Sequence, residues 1–251
     1  MKVKIMTAIA AGLVLAAGMA ASAAEPEGWK FELTPYLWAA GLEGDVTING
    51  HEADFEKEFS DLFDMLDIGG SLLGVVQYNR FIALGEVDYF SLSTDNLDVE
   101  DQPPGRTLDS KLLIGEAAVG YEFDGFMEGM KMGLLAGARM TSMDVDLELD
   151  AGETASKDND LVDAILVLRT HIPLFPSKID GLAFNPTLAI GAGDSDLVYE
   201  LFPQLQYQVT DHMMARLGYR TVGYKFKGEH NDDNELNINL AGLTVGLGVT
   251  F

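Results

Sequence analysis

The sequence predicts an antiparallel β-barrel that spans a membrane, and three observations carry the prediction. The chain closes on LTVGLGVTF, where Leu243, Val245, Leu247, Val249 and Phe251 alternate with Thr244, Gly246, Gly248 and Thr250. Alternation at period two makes a strand with one apolar face, and the opposite Gly–Thr face is too small and too polar for a soluble core. Nine further segments alternate in the same manner. The connections between them are short on one side and long on the other, the asymmetry of outer-membrane barrels, which also have even strand numbers.

The ten segments run over about 29–48, 68–79, 81–94, 107–123, 130–149, 161–173, 182–193, 198–209, 212–227 and 235–251. The same pattern also admits eight or twelve strands. Short turns fall at Asn79-Arg80, Asp124–Gly129, Leu174–Gly181 and Thr210-Asp211; longer acidic loops are expected at 49–67, 95–106, 150–160 and 228–234. A consistent phase turns Leu37, Val87, Val119, Leu134, Leu166, Ile190, Leu205 and Leu217 outward. Aromatics gather at the short-turn end: Phe31, Tyr78, Phe81, Phe123, Phe184, Tyr207 and Phe251. Amphipathic rings favour the headgroup zone, so this reads as an interfacial girdle. The competing reading, a soluble lipocalin-like barrel with its apolar face inward, leaves few charges outside and no large residues for the core.

Residues 1–23 read as a secretory signal peptide: Lys2 and Lys4, an apolar run from Ile5 to Ala17, then Ala21-Ser22-Ala23. Residues 24–251 form one barrel domain. Cleavage would take the net charge from −24 to −26 by removing two lysines. That charge excludes nucleic acid as a partner, since phosphates call for Lys and Arg. No cysteine is present, so neither disulfides nor thiolate chemistry is available. No later apolar run is long enough for a transmembrane helix.

Several stretches, WKFELTPYLWAAGLEGDVTI (29–48), FSDLFDMLDIG (59–69), GAGDSDL (191–197), LGYR (217–220) and GLGVTF (246–251), resemble a family of Gram-negative outer-membrane β-barrel proteins, small barrels in the general style of OmpA and OmpW. The resemblance spans nearly the whole mature chain. It implies architecture and location, with lipid and lipopolysaccharide as surroundings, and no activity. Leu243, Val245, Leu247, Val249 and Phe251 resemble the signal read by the outer-membrane assembly machinery.

With the outward phase fixed, the lumen receives Glu32, Glu86, Asp88, Glu116, Arg139, Arg169, Glu200, Arg216 and Arg220. Arginine suits such a place because its planar fork holds carboxylates bidentately. Mixed signs and a narrow barrel favour an ion-pair plug; a selectivity ring in a pore is the functional alternative. At the long-loop end the phase inverts: Val46, Ile48, Phe90, Leu92, Val145, Leu147, Tyr224, Phe226, Ile238 and Leu240 point inward with polar residues outward. Strands that run past the membrane into water would show this inversion, and they would form an apolar extracellular cup.

The first loop offers a filler for that cup. Phe55, Phe59, Leu62, Phe63 and Leu66 have helical spacing in DFEKEFSDLFDML, which predicts an amphipathic helix over 54–66. Asn49-Gly50 ahead of it predicts a hairpin pairing DVTI with HEAD. The helix reads as a permanent cap, or as a lid over a site for small hydrophobic molecules.

Catalytic, metal and cofactor sites are not expected. His171 reads as a lumen hydrogen-bonder. His51 and His230 lie in acidic rim segments, which keeps a rim-located hydrolase as a second alternative, but no serine has a nucleophile-like context. HNDDNE (230–235) and the loop-one acids offer oxygen ligands to divalent cations without matching an EF-hand. The expectation is a non-enzymatic, largely closed barrel with a structural or small-solute role; the first alternative is a transporter or binder of hydrophobic molecules.

Overall fold

A computed structural model describes residues 28–48, 51–57, 66–94, 107–149, 153–227 and 235–251. Side chains are described over 28–45, 69–93, 109–144, 159–227 and 235–251. Among the described residues thirteen strands follow in chain order: β1 (Trp29–Ile48), β2 (His51–Lys57), β3 (Leu66–Tyr78), β4 (Phe81–Thr94), β5 (Thr107–Asp124), β6 (Lys131–Leu149), β7 (Glu153–Pro173), β8 (Leu182–Phe184), β9 (Thr187–Gly193), β10 (Leu197–Phe202), β11 (Gln204–Thr210), β12 (Met213–Lys227) and β13 (Glu235–Thr250). All pairings are antiparallel.

The sheet closes on itself where β1 pairs β13, from Glu32↔Thr250 to Thr47↔Glu235. Two pairs of short strands act as single wall positions. β8 and β9 both lie beside β7, and β10 and β11 both lie beside β12. With β2 set aside, ten positions go round the ring, as the alternation predicts. The two breaks fall at prolines. Pro186 and Pro203 cannot donate to the ladder, yet their carbonyls still accept from Thr170 N (3.0 Å) and Tyr219 N (3.1 Å). The wall therefore lacks one donor at each proline and stays hydrogen-bonded across both breaks.

Two expectations need correction. Residues 54–57 continue the strand that begins at His51 and do not start a helix, and Phe55 sits opposite Gly44 of β1. The predicted hairpin is present, with Asp45↔Asp54 through Ile48↔His51. Within 51–57, Ala53 and Phe55 alternate with Glu52, Asp54 and Glu56, a period of two that the helical template concealed. The projecting edge of β1 supplies the partner that makes the strand win. Phe59, Leu62 and Phe63 lie outside the described residues. The second correction concerns 150–160, expected as a long loop: β7 begins at Glu153 and pairs β6 up to Leu149. Strands of 19 and 21 residues are roughly twice the 9–11 needed to cross a bilayer, so this hairpin stands well clear of the membrane.

The outer face carries the apolar band. Leu37, Val119, Leu134, Leu166, Ile190, Leu217, Leu243, Val245 and Leu247 are all exposed, with Trp29, Tyr78, Phe81, Tyr121 and Tyr207 toward the short-turn end. A water-soluble barrel would not display such a stripe on every wall. Inside, Tyr36, Trp38, Leu73, Leu84, Ile114, Leu135, Val167, Val198, Val222 and Tyr224 are buried in one cluster. Glycines turn the corners. A Cβ on Gly242 would lie 1.8 Å from the Ala39 carbonyl oxygen, so the sharp bend at the β1–β13 seam requires hydrogen there.

Candidate functional site

The ring brings together charges that lie far apart in the chain. Period-two phasing turns Glu86 and Asp88 of β4, Glu116 of β5, Arg139 of β6, Glu200 of β10 and Arg220 of β12 into one layer of the lumen. Arg220 is at its centre and is fully buried. Its Nη1 donates to Glu86 Oε1 (2.9 Å) and to both Asp88 oxygens (3.0 and 2.9 Å), and its Nη2 donates to Glu200 Oε2 (3.1 Å). The guanidinium carbon also stands 4.8 Å from the Trp38 ring centroid and 5.4 Å from that of Phe202. Carboxylates thus hold its edge while aromatic faces cover its plane, which suits a planar cation.

Arg139 forms the second node. It donates through Nη2 to Glu116 Oε2 (2.6 Å) and to Glu200 Oε2, and through Nε to Glu116 Oε2 (3.1 Å). Glu200 is therefore shared by both arginines. Tyr36 joins the layer through its hydroxyl, which donates to Glu86 and lies 2.9 Å from Asp88 Oδ1. On the long-loop side, Tyr224 and Thr141 bond through their hydroxyls at 2.7 Å.

A separate polar file occupies the short-turn side. Arg216 pairs with Glu32 (2.8 Å) and donates to Gln206 Oε1 (3.0 Å), while Thr34 donates to Glu32 (3.0 Å). Asn185 donates to the same Gln206 oxygen (2.7 Å), so its own oxygen accepts from His171 Nδ1 (2.9 Å). At the outermost turn, Asp124 accepts from Lys131 and from Arg80 (2.9 Å). These bonds hold its carboxyl below the ordinary aspartate range.

Eight of the nine lumenal residues expected from the phase are joined in these ion pairs. Arg169 is the ninth; it makes no ion pair among the described residues. Sequence reasoning missed the hydroxyl of Tyr36 and the rings of Trp38 and Phe202. Their inward phase was visible, but nothing in the spacing said that they would meet Arg220. Of the mouth residues, Tyr224 is buried in the core, Phe226 packs against it and Ile238 is partly buried. The side chains of Phe55, Leu66, Val145 and Leu147 lie outside the described set. In the closing strand Leu243, Val245 and Leu247 face outward, and Phe251 exchanges backbone hydrogen bonds with Phe31 (2.9 and 3.1 Å). No group of metal-ligating side chains occurs among the described residues.

Solved structures of several bacterial surface and outer-membrane proteins resemble the chain. The translocator domain of the autotransporter NalP from Neisseria meningitidis is 11% identical over 99% of this chain and 97% of its own, with a TM-score of 0.45. Neisserial surface protein A is 12% identical over 90% and 98%, with a TM-score of 0.35. The outer membrane protein OprG from Pseudomonas aeruginosa is 11% identical over 89% and 96%, with a TM-score of 0.33. No protein-family model matches the chain, and no curated protein matches it in sequence. Likeness at this level transfers no activity.

Proposed function

We propose that the protein is an integral outer-membrane barrel whose lumen is closed by the Arg139–Arg220 layer, with a structural role in the envelope or passage of small solutes only. The observation that carries the reading is the pair of nodes itself. Two guanidiniums and four carboxylates from five strands, all shielded from solvent, occupy the middle of a ten-position ring. On this reading the chain is exported after loss of residues 1–23, inserted through its Leu243–Phe251 strand by the assembly machinery, and acts without catalysis. The short-turn end faces the periplasm and the long hairpins face outward, as in other such barrels. Planar-bilayer recording tests it: the purified barrel should give no steady conductance. Steady single-channel steps from the unmodified protein would overturn the closed-lumen reading.

A second reading has one specific support. On the long-loop side of the charged layer the interior is largely apolar beyond the Tyr224–Thr141 hydroxyl pair, with Trp38, Phe90, Leu112, Val198, Val222 and Phe226 in or against the core. A binder or transporter of small hydrophobic molecules would use that wall. Saturable binding of an apolar fluorescent probe, lost on Val222→Asp, favours this reading; absence of binding favours a sealed core.

A further inference from the structure

We propose that the turn-end mouth of the lumen binds one small oxyanion, held by the guanidinium forks of Arg169 and Arg216. The proposal concerns the mouth alone and stands whether or not the charged layer above it conducts.

Alternation fixes which groups line this mouth. Along β7, Arg169 lies two residues beyond Val167, which is buried in the core, and His171 lies two beyond Arg169. Along β12, Arg216 precedes the buried Arg220 by four. Even spacing keeps each of them on the lumenal face. Between these strands stand Asn185 and Gln206, the latter opposite Arg216 in the β11–β12 ladder. The hydrogen bonds that join His171, Asn185, Gln206 and Arg216 therefore trace one arc of the wall. Arg169, His171, Asn185 and Gln206 are only partly buried, so solvent reaches this arc from the turn end.

The charge here departs from that of the whole chain. In the lumenal phase of the strand ends below the charged layer, the cations Lys30, Lys131, Arg169 and Arg216 face only three carboxylates, Glu32, Glu122 and Asp124, although the chain carries a net −24. Those carboxylates are already engaged. Asp124 accepts from Lys131 and Arg80, Glu32 pairs with Arg216, and Glu122 accepts from Gln77 (3.1 Å). Arg169 has no carboxylate among the described residues, and its charge is close enough to act on Arg216. Two like charges thus share a single counter-charge, Glu32, and repel. Arg216 also keeps a donor unused: Nη2 serves Glu32 and Gln206, while Nε, in a side chain only 8% exposed, has no partner. An oxyanion between the two guanidiniums would supply the missing charge and accept from both planar forks.

Equilibrium dialysis of radiolabelled inorganic phosphate against the detergent-solubilised barrel, at fixed ionic strength, measures the site. Saturable binding near one phosphate per barrel is expected. Arg169→Gln should weaken it about ten-fold; Arg169→Lys, which keeps the charge and loses the fork, should weaken it less. Lys178→Gln, which removes an exposed lysine from the turn at 174–181, should leave binding unchanged. Binding that does not saturate, or that Lys178→Gln weakens as much as Arg169→Gln does, would be general attraction to basic side chains and would overturn the site. Stability gives an independent reading. In phosphate-free buffer Arg169→Gln should unfold at or above the temperature of the parent, because it removes a like charge from beside Arg216. Phosphate should then raise the unfolding temperature of the parent and not of the variant. A variant that unfolds well below the parent without phosphate, or fails to fold, would make Arg169 a structural partner and overturn the assignment.

Discussion

Glu200 of β10 and Arg220 of β12 meet at 3.1 Å inside the barrel, and the carboxylate oxygen that joins them also accepts Arg139 of β6. One acidic oxygen thus holds two cations that come from different parts of the ring. In a low-dielectric interior each partner depends on the others, because a stranded charge there has no water to replace the lost bond.

Arg220→Met should therefore leave Glu86 and Asp88 without a cation and Glu200 with Arg139 alone. Removing one partner of a buried ion pair costs about 3–5 kcal/mol. Heat-modified gel mobility should report a markedly lower unfolding temperature. Arg216→Met should cost less, roughly 1.5–3 kcal/mol, since its single carboxylate partner, Glu32, is partly open to solvent. An unchanged profile for both variants would show that these arginines are hydrated.

Arg139→Met and Arg220→Met should not add. Each alone strips Glu200 of one cation; the second removal finds the layer already disrupted. The double variant should be less destabilised than the sum of the singles, with a coupling energy of about 0.5–3 kcal/mol. Simple additivity would mean that Glu200 does not bridge the two nodes.

The outer band is tested by charge. Leu217 faces outward opposite Val245 of β13, and both are exposed. Leu217→Arg should cost about 2–4 kcal/mol in a bilayer, where an arginine at the midplane of a barrel wall is penalised by that amount. In water the same exposed position would tolerate it. Equal stability of parent and variant in vesicles would contradict membrane embedding.

Glycine corners make a paired test. Gly242→Ala places a methyl group 1.8 Å from the Ala39 carbonyl oxygen, whereas Gly70→Ala meets nothing within 4 Å. The first should destabilise the barrel by roughly 1–3 kcal/mol or more through overpacking; the second should fall within about 0.5 kcal/mol of the parent. Thermal unfolding of the two variants in the same detergent would separate them.

The ring and its phase were legible because lipid outside and packed charge inside impose opposite demands on alternate residues. That contrast is strong from Leu243 to Phe251 and at Arg216–Arg220, where each flip of face changes chemistry. It fades at 54–57, where apolar residues are few, so Phe55 fitted a helical template with Phe59 and Leu62 as well as it fits a strand. The extension of β7 down to Glu153 was hidden for the same reason: ETASKDND has no apolar face at all. Phasing also told which residues point inward but not how far they reach, and the meeting of Tyr36, Trp38 and Phe202 with Arg220 depends on distances across the ring.

The seam between β1 and β13 joins the two ends of the described chain, and the charged layer draws on residues from β1 to β12. Neither can exist in a half-built sheet. The last strand to dock therefore completes the wall and the layer in one event, which makes the layer a check on register. A slip of one residue along β12 would exchange the faces of the whole strand, sending Arg220 into lipid and Tyr219 or Thr221 among the carboxylates. Such a barrel would forfeit the ion pairs and incur the penalty of an arginine in hydrocarbon at the same time. The buried charges, costly to desolvate, thereby act as the lock that admits only the correctly aligned closure.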